Sequence, residues 1–290
     1  MTYEVVQVDA FTSRPLEGNS CAIYPDARGL SDRQMQRIAR EMNLSETSFV
    51  LPSERADFRV RYFTPSSEIP MAGHPTVATV HALCELGHIK PGVDRVTLEM
   101  RAGIIPVRIE RRTSSTRYVM QQLPPTFMRT YPHDSIAAAL DLHEGDLLEG
   151  ASPQTVSTGT PQLMVALRDI EMLAQIHADV RKLFHDFERD YFSVHVFARE
   201  RGGATTLCSR HFADFNGLVE DPFTGSASGG MAAYCARYRL VDRDAYAISQ
   251  GRHAGRPGIG YIRVLGDADN IEGIEVGGEA VTVMRGTLLL

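Results

Sequence analysis

The sequence predicts a mixed α/β protein built as two similar lobes, on three observations. The chain has 290 residues, more than one domain of roughly 100–200 residues needs. Strand-like runs with period-two alternation recur between segments of helical spacing along the whole chain. A Glu-x-x-x-small-Gly passage ahead of a helix occurs twice, at Glu68–Gly73 and Glu220–Gly225.

Composition narrows the class. With 43% hydrophobic and 23% charged residues, the chain is neither disordered nor collagen-like nor a coiled coil. A net charge of −6 with no basic stripe argues against nucleic acid and anionic membranes as partners. Cys21, Cys84, Cys208 and Cys235 stand isolated, without CxxC or Cys/His ligand spacing. No metal or disulfide is therefore expected, and a chain this long needs neither to bury a core. A reducing, cytoplasmic location is the expectation. Glu4 and Asp9 occupy the place of a basic signal-peptide segment, and no apolar run matches a membrane span.

Each element has a local reason. Tyr3–Phe11 is rich in β-branched residues and reads as a strand. Pro15, Gly18 and Asn19 mark a turn, after which Cys21–Tyr24 resumes extended structure. Ser31 and Gln34 form a capping box, with Leu30 and Met35 at the staple positions. Met35, Ile38, Ala39 and Met42 then keep helical spacing, and the helix ends near Asn43. Thr47–Leu51 is extended, so Ser45 and Glu46 sit on a helix-to-strand turn. Phe58, Val60 and Tyr62 alternate with Arg59 and Arg61 as a half-buried strand does. Pro75 suits the first turn of a small, apolar helix ending near Gly87. Strands follow at Val96–Met100, Ile104–Glu110 and Tyr118–Gln122, and Pro124-Pro125 marks a domain boundary. Beyond it, helices are predicted at Asp134–Leu142, Ile170–Phe184 and Ala227–Leu240. Strands are predicted at Leu163–Leu167, Phe192–Ala198, Thr205–Phe212, Ile259–Leu265 and Ala280–Leu290.

The repeated passages are spaced by about half the chain. Arg61-Tyr-Phe63 and Arg210-His-Phe212 extend the correspondence upstream. Two lobes related by a pseudo-two-fold axis would point two helix N-termini into one cleft. Free N–H groups and a positive dipole end there suit a small carboxylate substrate. Gly73, Gly225 and Ser226 would bind its polar groups through close backbone approach. The same glycines also permit plain helix–strand packing. No phosphate loop and no dinucleotide fingerprint is present. Nor is there a G-x-S-x-G nucleophile motif.

Three ionisable residues on punctuated loops fall within reach of such a cleft: Glu46, His74 and Asp221. A carboxylate in an apolar cleft is suited to take and return a proton near neutral pH. A histidine and an aspartate beside it can hold an amine or hydroxyl and relay protons. Each residue alone is an ordinary surface or turn residue, and only the combination points to chemistry. Glu188 and Asp190 near His185 and His195 match no metal-ligand spacing.

Several motifs together carry a family resemblance. They are Asp9-Ala-Phe-Thr, Pro15-Leu-Glu-Gly-Asn19, Met35–Glu46, Phe63-Thr-Pro65, Ala72-Gly-His-Pro75 and Glu220-Asp-Pro-Phe-Thr-Gly-Ser226. The chain resembles the phenazine biosynthesis PhzF-like family from end to end, with Arg285–Leu290 matching its last strand. The resemblance implies an α+β, diaminopimelate-epimerase-like fold: two pseudo-symmetric lobes, each a barrel-like β-sheet around a central helix. The N-terminal lobe would span 1–124, joined by the C-terminal strand 280–290, and the C-terminal lobe 125–279.

The resemblance also implies a cofactor-independent isomerase and commonly a homodimer. Glu46 would be its general acid/base, with His74 and Asp221 assisting and Gly73, Gly225 and Ser226 binding substrate. Racemases of this fold keep a thiol before each Gly, where this chain has Ala72 and Thr224. A single carboxylate replaces that pair. In the phenazine-pathway enzyme that the chain resembles, the substrate is trans-2,3-dihydro-3-hydroxyanthranilate, whose own enol system delocalises charge; many PhzF-like proteins lie outside that pathway. The Asp221-Pro-Phe-Thr form differs from the Asp-Ala-Ala-Thr form associated with the phenazine pathway. An amino- or hydroxy-acid racemase and a non-catalytic small-molecule binder on the same scaffold are the alternatives.

Overall fold

The computed structural model describes residues 1–185, 188–214 and 218–290. The chain divides into two compact units. The first comprises Met1–Gln121 with Gly277–Leu290, and the second Gln122–Val276.

In the first unit the strands are β1 (Thr2–Ala10), β2 (Asn19–Tyr24), β3 (Glu46–Leu51), β4 (Phe58–Phe63), β5 (Glu68–Ile69), β6 (Arg95–Met100), β7 (Gly103–Arg111) and β8 (Thr116–Gln122). The helices are α1 (Asp32–Met42) and α2 (His74–Glu85). The predicted capping box starts α1: Ser31 Oγ accepts from Gln34 N, and the Gln34 side chain accepts from Ser31 N at 3.0 Å. Asn43 ends it in the left-handed region at φ 51°, its N–H bonded to Ala39, a conformation asparagine adopts at low cost. Met35, Ile38 and Ala39 bury the inner face of α1 against Tyr24, Phe49 and Phe63. Phe49 stacks on Tyr24 at 5.1 Å and meets Phe63 edge-on at 5.5 Å.

Helix α2 has almost no polar face. His74 to Val80, Ala82 and Leu83 are all buried, which is the signature of a helix enclosed on every side. It packs on β1, β2, β3 and the C-terminal strand, Ala280–Leu289. That strand lies antiparallel to β1 along its whole length.

In the second unit the strands are β9 (Thr126–Thr130), β10 (Gln154–Ser157), β11 (Pro161–Ala166), β12 (Ser193–Arg199), β13 (Leu207–Asp214), β14 (Leu218–Glu220), β15 (Ala245–Gln250), β16 (Gly258–Gly266) and β17 (Ile271–Gly278). The helices are α3 (His133–Leu140), α4 (Met172–Gln175), α5 (Val180–Phe184) and α6 (Gly225–Arg237). Helix α6 is the enclosed one, packed on β10, β11 and β16. Its small residues are needed for close approach. A Cβ on Gly229 would lie 1.9 Å from Gln122 Oε1.

The single helix expected over Ile170–Phe184 is instead two short ones, α4 and α5. Ile176 turns extended at ψ 123°, and the Asp179 carboxylate caps a new start by accepting from Arg181 N and Lys182 N. The apolar residues keep helical spacing across this break, so periodicity alone did not reveal it.

The two units repeat one topology. In the first, the ladder runs C-terminal strand, β1, β2, β3, β4, β6, β7. In the second it runs β9, β10, β11, β12, β13, β15, β16. Both ladders share the order of antiparallel and parallel pairings, with parallel pairs only at the third and fifth junctions. The C-terminal strand thus takes in the first unit the place that β9 takes in the second. Among the described residues, no helix is long and apolar enough to cross a membrane.

Candidate active site

The register aligns the two copies residue by residue. Phe63 pairs with Glu68 in the first unit and Phe212 with Glu220 in the second. Arg61 holds Glu68 through two bonds of 2.8 Å, and Arg210 holds Glu220 through bonds of 3.0 and 2.7 Å. Each guanidinium also stacks over the Phe two residues on, at 5.1 and 4.9 Å from the ring centre. These bidentate, largely desolvated pairs fix the short return strand that leads into each enclosed helix. The echoed glutamates of the sequence are therefore anchors of the loop. Their role as arginine partners carried no local sequence signal.

The loops so anchored deliver the candidate residues. In the first unit, the turn after α1 places Glu46 at the head of β3, opposite Cys21 on β2. Gly73 precedes α2 with an ordinary φ of −82°, and His74 is the first helical residue. His74 is 4% exposed. Its Nε2 lies 3.3 Å from Glu46 Oε2, and its Nδ1 lies 3.0 Å from Asn19 Nδ2. An amide nitrogen can only donate, so Nδ1 accepts and the ring hydrogen sits on Nε2, which lies near the carboxylate but is not hydrogen-bonded to it in this structure. Burial pushes the His74 pKa down to about 3, against a smaller opposing influence of the Ser20 backbone. The imidazole is neutral at physiological pH. A neutral imidazole can orient a carboxylate without cancelling its charge.

The thiols are poorly placed to act as bases. Burial raises the pKa of Cys21, and the nearby Glu46 charge raises it further. Burial likewise raises Cys84, Cys208 and Cys235. All four stay protonated near neutrality.

In the second unit, Asp221 begins the turn into α6. Its N–H donates to His211 O at 3.0 Å, its carbonyl accepts from Gln250 Nε2 at 2.7 Å, and its carboxylate accepts from Thr224 Oγ1. Gln250 Oε1 also accepts from Thr224 N at 3.1 Å. Buried Gln250 thus clamps both ends of the Asp221–Thr224 turn. Gly225 O accepts from Gln122 Nε2 at 2.8 Å. Ser226 Oγ accepts from Gln162 Nε2 at 3.2 Å. Gln122, Gln162 and Gln250 carry no local sequence signal, since each reaches its partner from a strand distant in the chain.

The structure brings Glu46 and His74 together in the first unit, and Asp221, Gly225 and Ser226 onto one turn and helix start in the second. Among the described residues, no group of His, Cys, Asp or Glu is arranged to hold a metal ion. His185 pairs with Asp214, and Asp190 accepts from Tyr131 and Thr155.

Fold and site together define an α+β protein of the diaminopimelate-epimerase-like fold. A hydroxyproline epimerase from Agrobacterium vitis shares it at TM-score 0.66 and 12% identity, over 99% of this chain and 91% of that one. Closer relatives decide the family. The family model described as phenazine biosynthesis-like protein matches residues 8–286. A trans-2,3-dihydro-3-hydroxyanthranilate isomerase of Pseudomonas chlororaphis is 37% identical over 99% of this chain and all of its own length. A Bacillus anthracis phenazine biosynthesis protein of the PhzF family superposes at TM-score 0.89 with 32% identity, covering both chains fully. The chain belongs to the PhzF-like phenazine biosynthesis family, and it is an isomerase.

Proposed function

We propose that the protein is a cofactor-independent isomerase in which Glu46 moves a proton on a small cyclic amino- or hydroxy-carboxylic acid. A ring acid similar to trans-2,3-dihydro-3-hydroxyanthranilate is the substrate class this reading favours. The supporting observation is the 3.3 Å pairing of Glu46 with a buried, neutral His74, beside thiols that remain protonated.

Glu46 removes a proton from one ring carbon, and the electron pair moves into the adjacent unsaturated system. The same carboxyl group returns the proton to another carbon on the same face. The resulting enol tautomerises to the ketone. A single base suffices because only one face is addressed. His74 Nε2–H steadies Oε2 while the carboxyl group changes charge. Asp221 accepts a hydrogen bond from the substrate's amine, and Ser226 with the amides at Gly73 and Gly225 binds its carboxylate.

The test is Glu46→Gln, assayed with trans-2,3-dihydro-3-hydroxyanthranilate in deuterated water. Loss of about 10²–10⁴-fold in turnover is the scale of a general acid/base, and solvent deuterium uptake should fall with it. Undiminished turnover in the variant refutes the role of Glu46.

A further inference from the structure

The duplicated register offers a comparison within one chain. Cys21 pairs with Glu46 across the parallel strands β2 and β3, and Gln162 pairs with Ser193 across β11 and β12. His74 and Ser226 each follow the glycine at the start of the enclosed helix. The trio Cys21, Glu46, His74 in the first unit therefore corresponds to Gln162, Ser193, Ser226 in the second. One scaffold position holds the candidate base; its counterpart holds only a hydroxyl.

The polar groups of the second trio are incompletely used. Gln162 is 2% exposed and Ser193 0%. Gln162 Nε2 donates to Ser226 Oγ, yet Gln162 Oε1 and Ser193 Oγ have no hydrogen-bond partner. Buried polar groups are rarely left so. A serine hydroxyl that accepts from an amide has its own hydrogen free to donate elsewhere. Ser193 stands on the residue paired with Gln162, and its O–H is the complementary donor for Oε1 after a rotamer change.

We propose that Gln162, backed by Ser193, is a positioning residue that makes Ser226 a dedicated hydrogen-bond donor to an anionic oxygen of the substrate. The order runs Ser193 O–H to Gln162 Oε1, Gln162 N–H to Ser226 Oγ, and Ser226 O–H to the substrate carboxylate. A site built this way selects a carboxylate over an uncharged amide, because a charged acceptor gains more from an oriented donor. This rests on the isomerase reading for the choice of ligand, but it concerns binding alone.

The experiment measures binding of anthranilate and of 2-aminobenzamide by calorimetry, for the wild type, Gln162→Met, Ser226→Ala and the double variant. Gln162→Met and Ser226→Ala should each weaken anthranilate about tenfold, the scale of one charged hydrogen bond. The double variant should bind no more weakly than Ser226→Ala, as expected for residues acting in series. Affinity for the amide should change by less than about twofold, a contrast that general loosening of the strand would not produce. Equal weakening of both ligands, additive losses, or no anthranilate binding by the wild type overturns the proposal. Anthranilate binding without turnover of the ring acid by the wild type would sink the proposed substrate class and leave this one standing.

Discussion

Three buried histidines make the stability of the protein depend on pH in a defined window. In the second unit, His195 and His211 are buried with their Nδ1 atoms 3.2 Å apart. Burial pushes His211 down to about 3, and burial together with the neighbouring His211 lowers His195 as well. A histidine with a folded pKa below its unfolded value of about 6.5 binds fewer protons when folded, so stability falls as pH drops below 6.5. At pH 5 the native state forgoes one and a half pH units of proton binding at His211, worth about 2 kcal/mol at roughly 1.4 kcal/mol per unit. That is a large share of a typical total of roughly 5–15 kcal/mol. His74 adds a similar loss of about 2 kcal/mol in the first unit, its pKa also lowered to about 3. Carboxylates held low by partners, such as Glu68 and Asp190, lose their contribution only below about pH 4.5, outside this window. The assay is urea unfolding at pH 7.5 and pH 5, read by hydrogen exchange in strand β12 so that the second unit is followed. Replacing His211 with Gln removes one titrating group, and the loss between the two pH values should shrink by about 2 kcal/mol. The absolute stability of the variant does not enter, since only the difference between pH values is compared. An identical pH difference in wild type and His211→Gln would refute the reasoning.

Other expectations follow from single contacts. Asn19→Ala removes the donor that fixes His74 with its hydrogen on Nε2; kcat should fall about tenfold with little change in KM, as one lost orienting hydrogen bond implies. Gly229→Ala should cost about 1–3 kcal/mol in thermal unfolding, because the new Cβ meets Gln122 Oε1, which already accepts from Thr158 at 2.5 Å. Gly230→Ala should be near neutral, since it meets only the flexible end of Met164 and gains up to about 1 kcal/mol in helix propensity. Ser31→Ala should cost about 1 kcal/mol through loss of the capping box, measured as a lower urea midpoint at unchanged slope.

Local signals were legible wherever the physics was local. The capping box of Ser31 and Gln34, the enclosed helices α2 and α6, and the alternation of Phe58–Phe63 all appear where the pattern puts them. The strands β5, β9, β10, β14, β15 and β17 carry no alternation that marks them in the sequence. Most are short, and β17 is rich in Gly and charged residues; they owe their extended form to the strands they pair with. The break between α4 and α5 was missed because apolar spacing runs through it, and only the Asp179 cap and the extended Ile176 reveal it.

The candidate site divides along the same line. Glu46, His74, Asp221 and Ser226 could be picked from the sequence because glycine, proline and helix starts punctuate the chain around them. The absence of thiols at Ala72 and Thr224 was equally plain there. The tautomer of His74, the arginine anchors of Glu68 and Glu220, and the glutamine clamps on Thr224, Gly225 and Ser226 emerged only from the tertiary structure. The histidine and glutamine contacts join residues far apart in the chain, and the arginine anchors span short hairpins whose register no local pattern specifies; strand pairing determines which of them meet. The sequence by itself determined that two copies of a loop-to-helix passage exist. Their aligned registers decided that one copy carries Glu46 where the other carries Ser193, because pairing across parallel strands sets which side chains share a place.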